Sequence, residues 1–208
     1  MRIGLYGGTF DPIHCGHLLL AESARLAFDF ERVILLPLGA PPHSKSVRAS
    51  AEDRFEMTRL ATEKYPEFTV SRYEIDSPRI SYTAETLRFF RERFPDDEIF
   101  YIVSSETFND IPNWYRPDEV CRLASLVVAD RAGYPPPNFD AFLEFTPKER
   151  VDIFRRQVFN SPLFEVSSTM IRDRIARGLS VRFLTPDVVV DYISEKRLYA
   201  PETEGVRD

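Results

Sequence analysis

The chain opens on Arg2-Ile3-Gly4-Leu5-Tyr6-Gly7-Gly8-Thr9-Phe10-Asp11-Pro12-Ile13-His14-Cys15-Gly16-His17, an arginine and a short apolar stretch running into paired glycines and then into two histidines three apart. Arg2 to Tyr6 reads as a short buried strand that stops at Gly7-Gly8. From about Gly16 to Phe28, the residues Leu20, Ala24, Ala27 and Phe28 recur at helical spacing. Val33-Ile34-Leu35-Leu36 is an apolar run of strand length, ended by Pro37. Strand, loop, helix and strand in this order form a βαβ unit, which requires parallel strands and a right-handed crossover.

The alternation continues outward from that unit. Ser50 with Asp53 three residues on starts a helix whose inner face is Met57, Leu60 and Ala61. Phe68-Thr69-Val70 is a short strand, and Thr83 opens a helix carrying Leu87, Phe90 and Phe94. Ile99 to Val103 is a strand, Pro117 to Leu123 a short helix, and Leu126 to Ala129 another strand. Such alternation predicts an α/β protein with a doubly wound parallel sheet and ligands at the C-terminal strand ends. The pattern breaks at Tyr134-Pro135-Pro136-Pro137-Asn138. Pro147 to Phe159 reads as an amphipathic helix with Val151, Phe154 and Val158 inward, and residues 135–162 as an insertion or lid-like segment. Order returns at Phe164-Glu165-Val166, followed by a helix from Ser168 to Arg177 capped by Gly178, and a last helix starting at Thr185-Pro186. These two make a small C-terminal helical part. Residues 1–199 are expected to be one domain and 200–208 a polar tail.

Composition narrows the class. A chain of 208 residues, 43% hydrophobic and 29% charged, can bury a core and is not the composition of a disordered protein. A net charge of −6 argues against a surface built to grip nucleic acid. Cys15 and Cys121 make neither a disulfide framework nor a zinc site and suit a reducing cytoplasm. No apolar run reaches the ~18 residues of a membrane span, and the N-terminus does not read as a signal peptide.

The rare residues concentrate at one end. Four of the eight glycines fall in the first 16 positions, and all three histidines, His14, His17 and His43, in the first 43. A loop that follows a strand and precedes a helix can hold a phosphate against backbone N–H groups and the positive helix end. It is neither a Walker loop nor the G-x-G-x-x-G fingerprint. A metal reading of the two histidines lacks an acidic or cysteine partner at ligand spacing. Spacing of three near a helix start instead turns both imidazoles toward one ligand.

GGTFDPIHCGH resembles the GGTFDPxHxGH form of the H-x-G-H nucleotidylyltransferase superfamily, and Ser167-Ser168-Thr169-Met170-Ile171-Arg172 is similar to its S-S/T-x-I-R motif. More narrowly, the chain resembles the bacterial nicotinate-nucleotide adenylyltransferases. Pro41-Pro42-His43, Ser81-Tyr82-Thr83, Asn113-Trp114-Tyr115 and Arg131-Ala132-Gly133 fall in that family's order, and the match runs to about residue 199. The resemblance implies a Rossmann-like nucleotidylyltransferase fold. It also implies adenylyl transfer from ATP to nicotinate mononucleotide by direct in-line attack, releasing pyrophosphate, in the biosynthesis of NAD. Such chemistry rests on positioning and on stabilising charge at the phosphoryl oxygens and the leaving group.

The same resemblance assigns roles to residues. Gly7, Gly8, Thr9 and Phe10 would cradle phosphate, with His14 and His17 on the triphosphate and the α-phosphate and His17 closest to the transition state. Ser168, at a helix N-cap, and Thr169 would face the β- and γ-phosphates, with Arg172 adding a bidentate charge. Trp114, the lone tryptophan, would stack on the pyridine ring while backbone donors at Tyr82 and Thr83 meet its carboxylate. His43, Lys45 and Arg131 are further phosphate candidates on the mononucleotide side. Mg²⁺ would bridge phosphate oxygens while keeping most of its waters, ATP and a pyridine mononucleotide would be the partners, and a homo-oligomer is compatible with the fold.

Two departures from the family stand out. Ser104-Ser105-Glu106 replaces the usual Gly-Ala-Asp, so the carboxylate of Glu106, grouped with the ATP-binding set, is one methylene longer at the same eight-residue spacing to Trp114. In Pro41-Pro42-His43-Ser44-Lys45 the lysine stands one place later than usual. Alternatives therefore stay open at the level of sequence. They are the same chemistry on nicotinamide mononucleotide, phosphopantetheine or another phosphate ester, and a non-catalytic nucleotide-binding protein. Nucleic-acid binding is disfavoured by the acidic charge balance.

Overall fold

The computed structural model describes residues 1–40, 47–130, 133–162 and 164–201. Among these residues the sheet strands are β1 (Arg2–Gly8), β2 (Arg32–Pro37), β3 (Phe68–Val70), β4 (Glu98–Ser104), β5 (Ser125–Asp130) and β6 (Val158–Asn160). The helices are α1 (Cys15–Ala27), α2 (Ala51–Thr62), α3 (Thr83–Arg93), α4 (Ser105–Asp110), α5 (Pro117–Leu123), α6 (Lys148–Arg156), α7 (Ser168–Ala176) and α8 (Asp187–Lys196). All strand pairings are parallel, in the order β3-β2-β1-β4-β5-β6. This is the expected doubly wound sheet. Its winding reverses between β1 and β4, which leaves a crevice at the C-terminal ends of those strands.

The continuous apolar runs follow from burial on both faces. Ile3, Leu5, Ile34, Leu36, Tyr101 and Val103 point into one layer, covered by Leu87 and Phe90 of α3, Val120 of α5 and Val151 and Phe154 of α6. Val33, Leu35, Phe100, Ile102 and Val127 point into the other, against Leu20 and Ala24 of α1, Met57 and Ala61 of α2, and Val189 and Ile193 of α8. Each such large apolar side chain removed from water contributes roughly 1.5–3 kcal/mol, so both layers anchor the strands that frame the crevice.

The structure differs from the sequence pattern in three places. The helix expected over 147–159 ends at Arg156, and Val158 lies on β6, paired with Val128 of β5. Residues 148–160 therefore form a sheet-covering helix and an edge strand. Leu60, expected on the inner face of α2, is only half-buried, and the stripe is completed by Arg54, which is 1% exposed. The cap of α7 is Ser167, whose hydroxyl accepts the Met170 N–H at 3.1 Å; Ser168 is the first helical residue.

Candidate active site

The loop after β1 is shaped by what it buries. A Cβ at Gly8 would lie 2.5 Å from the Phe10 ring, so glycine is required for Phe10 to fold back beneath the strand. Phe10 takes a left-handed backbone (φ 48°), its ring is buried, and it meets His17 edge-on at 5.0 Å. The chain then enters α1 through a reciprocal cap. His14 Nδ1 accepts the His17 N–H and His17 Nδ1 accepts the His14 N–H, both at 3.3 Å. The rings stack at 3.6 Å with 17° between their planes. Because each Nδ1 lone pair takes a backbone N–H, the proton of each neutral ring sits on Nε2, the edge away from the cap. The spacing of three thus closes a helix cap as well as orienting the pair: His17 lines a cavity, and His14 is buried behind it.

That cavity, about 370 Å³, joins the loop to the far end of the chain through Ser168, Thr169 and Arg172. Ser168 Oγ donates to the Pro12 carbonyl at 2.9 Å, Arg172 Nη1 to the Asp11 carbonyl at 2.7 Å, and Arg172 Nη2 to Thr169 Oγ1 at 3.2 Å. Two of the first backbone donors of α1 are already engaged. The Cys15 N–H is bonded to the Leu184 carbonyl at 2.9 Å, and the His17 N–H is taken by the cap.

Asp11, inside the quoted motif but not singled out as a site residue, organises these pieces. It is buried and accepts the N–H groups of Arg48 (2.8 Å) and Ala49 (3.1 Å) and the Tyr199 hydroxyl (2.7 Å), with Arg172 Nη1 3.8 Å away. Burial and the adjacent Asp11 carboxylate push the Tyr199 phenol far above its usual range. Arg54 works from below, donating to the carbonyls of Thr9 (2.7 Å) and Gly39 (3.0 Å), so one buried guanidinium ties the loops after β1 and β2. Burial lowers its proton affinity, opposed by Asp11 and Glu74.

A larger cavity of about 670 Å³ opens on the other side of Thr9. Tyr82 and Thr83 bring the N-terminus of α3 to its wall, and no side chain caps that helix, so its first-turn donors lack a side-chain acceptor. Trp114 lines it too, half-buried, with the indole N–H donating to Asp110 Oδ2 at 3.0 Å and the ring edge-on to Tyr101. Tyr82 and Tyr115 meet at 4.6 Å on the same wall. Glu106, grouped by sequence with the ATP-binding residues, faces this cavity rather than the one lined by His17. Ser104 turns its hydroxyl back to cap α4, accepting the Thr107 N–H at 3.3 Å, while the buried Ser105 Oγ has no partner among the described residues.

The structure thus gathers Gly7, Gly8, Thr9, Glu106, Tyr82, Thr83 and Trp114 around one cavity and Thr9, Phe10, His17, Ser168, Thr169 and Arg172 around its neighbour. His43, Lys45 and Arg131 lie outside the described residues. Beyond Asp11, sequence reasoning missed Arg54, Glu74, Asp110 and Tyr199. Arg54 left a signal, since a charged residue at the helical spacing of Met57 and Ala61 falls on the buried face.

Fold and loop together define a nucleotide-binding protein of the doubly wound class, its site at the sheet's switch point. Residues 5–174 match the family model described as Cytidylyltransferase-like. A Thermus thermophilus protein named "Probable nicotinate-nucleotide adenylyltransferase" is 43% identical over 199 residues, covering 96% of this chain and all of that one. A Moorella thermoacetica protein of the same name is 38% identical over 208 residues, covering 99% and 94%. The chain belongs to the cytidylyltransferase-like family and, within it, to the nicotinate-nucleotide adenylyltransferases. Its fold is shared with Plasmodium falciparum nicotinic acid mononucleotide adenylyltransferase complexed with NaAD, at a TM-score of 0.75 and 16% identity, over 95% of this chain and 97% of that one. No helix among the described residues is long and apolar enough to cross a membrane.

Proposed function

We infer that the protein transfers the adenylyl group of ATP to nicotinate mononucleotide, forming nicotinate adenine dinucleotide and pyrophosphate. The observation that carries this reading is the pair of cavities meeting at Thr9, one walled by His17, Thr169 and Arg172, the other by Trp114 and the uncapped start of α3. Relatives bearing the nicotinate-nucleotide adenylyltransferase name over essentially the whole chain support it.

In this reading a phosphate oxygen of the mononucleotide attacks the α-phosphorus of ATP in line, and the bond to the bridging oxygen of pyrophosphate breaks. His17 Nε2–H donates to an α-phosphate oxygen where charge builds. His14 fixes the His17 ring through the cap and the stack, and Arg172, held by Asp11, places a charge on the leaving pyrophosphate. Ser168 and Thr169 line the same wall, and the backbone of Gly7 to Phe10 forms the floor. Trp114 covers the pyridine ring, and donors at Tyr82 and Thr83 receive its carboxylate. Among the described residues the smaller cavity presents donors and a cation, and its one carboxylate, Asp11, is already bonded. We therefore propose that Mg²⁺ would enter with ATP rather than on protein ligands and would neutralise charge on the triphosphate.

The deciding assay is pyrophosphate release from Mg-ATP with nicotinate mononucleotide, beside the nicotinamide form. Turnover that prefers the acid is expected. Preference for the amide would reassign the acceptor, and absence of turnover from folded protein that binds ATP would leave a nucleotide-binding protein without this catalysis.

A further inference from the structure

Glu74 is the buried carboxyl in the wall of the larger cavity. It lies between β3 and α3, is 6% exposed, and shares the cavity with Tyr82, Thr83 and Trp114. Its Oε1 accepts the Thr86 hydroxyl at 2.7 Å, one turn into α3 from the uncapped residues at its start. Its backbone is fixed as well. A Cβ at Gly39 would lie 2.0 Å from the Glu74 carbonyl oxygen, so only glycine lets the loop after β2 pack there.

The groups around this carboxyl do not neutralise it by pairing. Arg54 of α2 acts on it through space, but its Nη atoms are spent on the carbonyls of Thr9 and Gly39. Tyr101 of β4 and Thr83 of α3 line the same cavity, and Tyr73 is the neighbouring residue in its own segment. Glu106 and Asp110 lie elsewhere on the cavity wall. Burial raises the Glu74 carboxyl to about 7, opposed by the Thr86 hydroxyl and by Arg54.

We infer that Glu74 is a positioning residue that sets the first turn of α3 against the acceptor ring and makes the preference for an acid over an amide acceptor depend on its own charge. The inference rests on the reaction proposed above. With Glu74 neutral, the α3 donors dominate the wall and favour a ring carboxylate. Once ionised, Glu74 adds a like charge in a poorly solvated wall, which penalises the carboxylate and leaves a carboxamide nearly unaffected. Discrimination therefore falls as pH rises through neutrality.

The experiment measures kcat/KM for nicotinate and nicotinamide mononucleotides at saturating Mg-ATP from about pH 5.5 to about 9. The amide is read as a competitive inhibitor wherever it is not turned over. Contributions from ATP, the acceptor phosphate and the rest of the enzyme are common to both acceptors and cancel in the acid-over-amide ratio. We expect that ratio to fall about tenfold across the range in the wild type and to stay flat in Glu74→Gln, which keeps the acceptor for Thr86. In Thr86→Val the midpoint moves to higher pH, because a bond that favours the carboxylate is gone. A flat wild-type ratio, or the same fall in Glu74→Gln, overturns the inference. If Glu74→Gln does not fold, the wild-type ratio and the Thr86→Val midpoint decide it. Failure of the wild type to use either acceptor at any pH would instead sink the proposed reaction.

Discussion

The two cavities share Thr9 and little else. On the His17 side the wall is stitched by hydrogen bonds across the whole chain: Arg172 to the Asp11 carbonyl, Ser168 to Pro12, Thr185 to Ile13 and Tyr199 to the Asp11 carboxylate. On the Trp114 side the wall is aromatic rings and a helix end, with the indole held by the single carboxylate of Asp110. The first arrangement suits a reaction in which charge must be met at a fixed point. The second suits recognition of a flat ring, where stacking tolerates small displacements and a few donors choose the substituent.

Substitutions that divide kcat from KM test this contrast most directly. His17→Ala is expected to lower kcat about 10²–10³-fold, as for loss of one preorganised donor at a developing charge, with a smaller change in acceptor KM. Steady-state kinetics check it, and an effect confined to acceptor KM would mean that the cavities do not divide the substrates as proposed. The next largest effect concerns stability. The folded protein holds the Glu74 proton up to about pH 7, whereas an unfolded carboxyl releases it near the ordinary value of 4.5. The native state then binds more protons between those values, so stability falls as pH rises through that window. Relative to Glu74→Gln, denaturant titrations should show the wild type losing about 3 kcal/mol across it.

Smaller effects sharpen the comparison. Tyr199→Phe removes a charge-assisted bond to Asp11 and is expected to cost about 1.5–2 kcal/mol of stability, with ATP KM rising and acceptor KM unchanged. An acceptor-only effect would break the assignment of Arg172 to the nucleotide side. Trp114→Ala should raise acceptor KM about tenfold, since stacking on a base-like ring is worth about 1–3 kcal/mol, with kcat largely retained. Ser105→Ala replaces a buried hydroxyl that has no partner among the described residues and should raise stability by about 1 kcal/mol, read from a thermal melt, without altering either KM.

Much of the fold was legible because parallel strands buried on both faces leave continuous apolar runs, as at Val33 to Leu36 and Ile99 to Val103. Val158 was misassigned because three residues after a helix carry too little periodicity to separate a strand from another turn. The phosphate side was legible as a motif, since Gly8, His14 and His17 are close in the chain and their constraints are local. The Trp114 side was reached only through residue types that the family resemblance connects.

Sequence by itself determined the βαβ start and the helix that begins at the histidine pair, because these follow from apolar patterning and hydrogen bonding among near neighbours. Tertiary structure alone decided that the Cys15 N–H belongs to Leu184, that Arg54 is buried under two strand ends, that Asp11 binds Tyr199, and that Glu74 has no ion-pair partner in the cavity wall among the described residues. The physical reason is the range of the interactions. A cap or a tight turn is satisfied within a few residues, but the charge state of a buried group is set by whatever the whole chain packs around it.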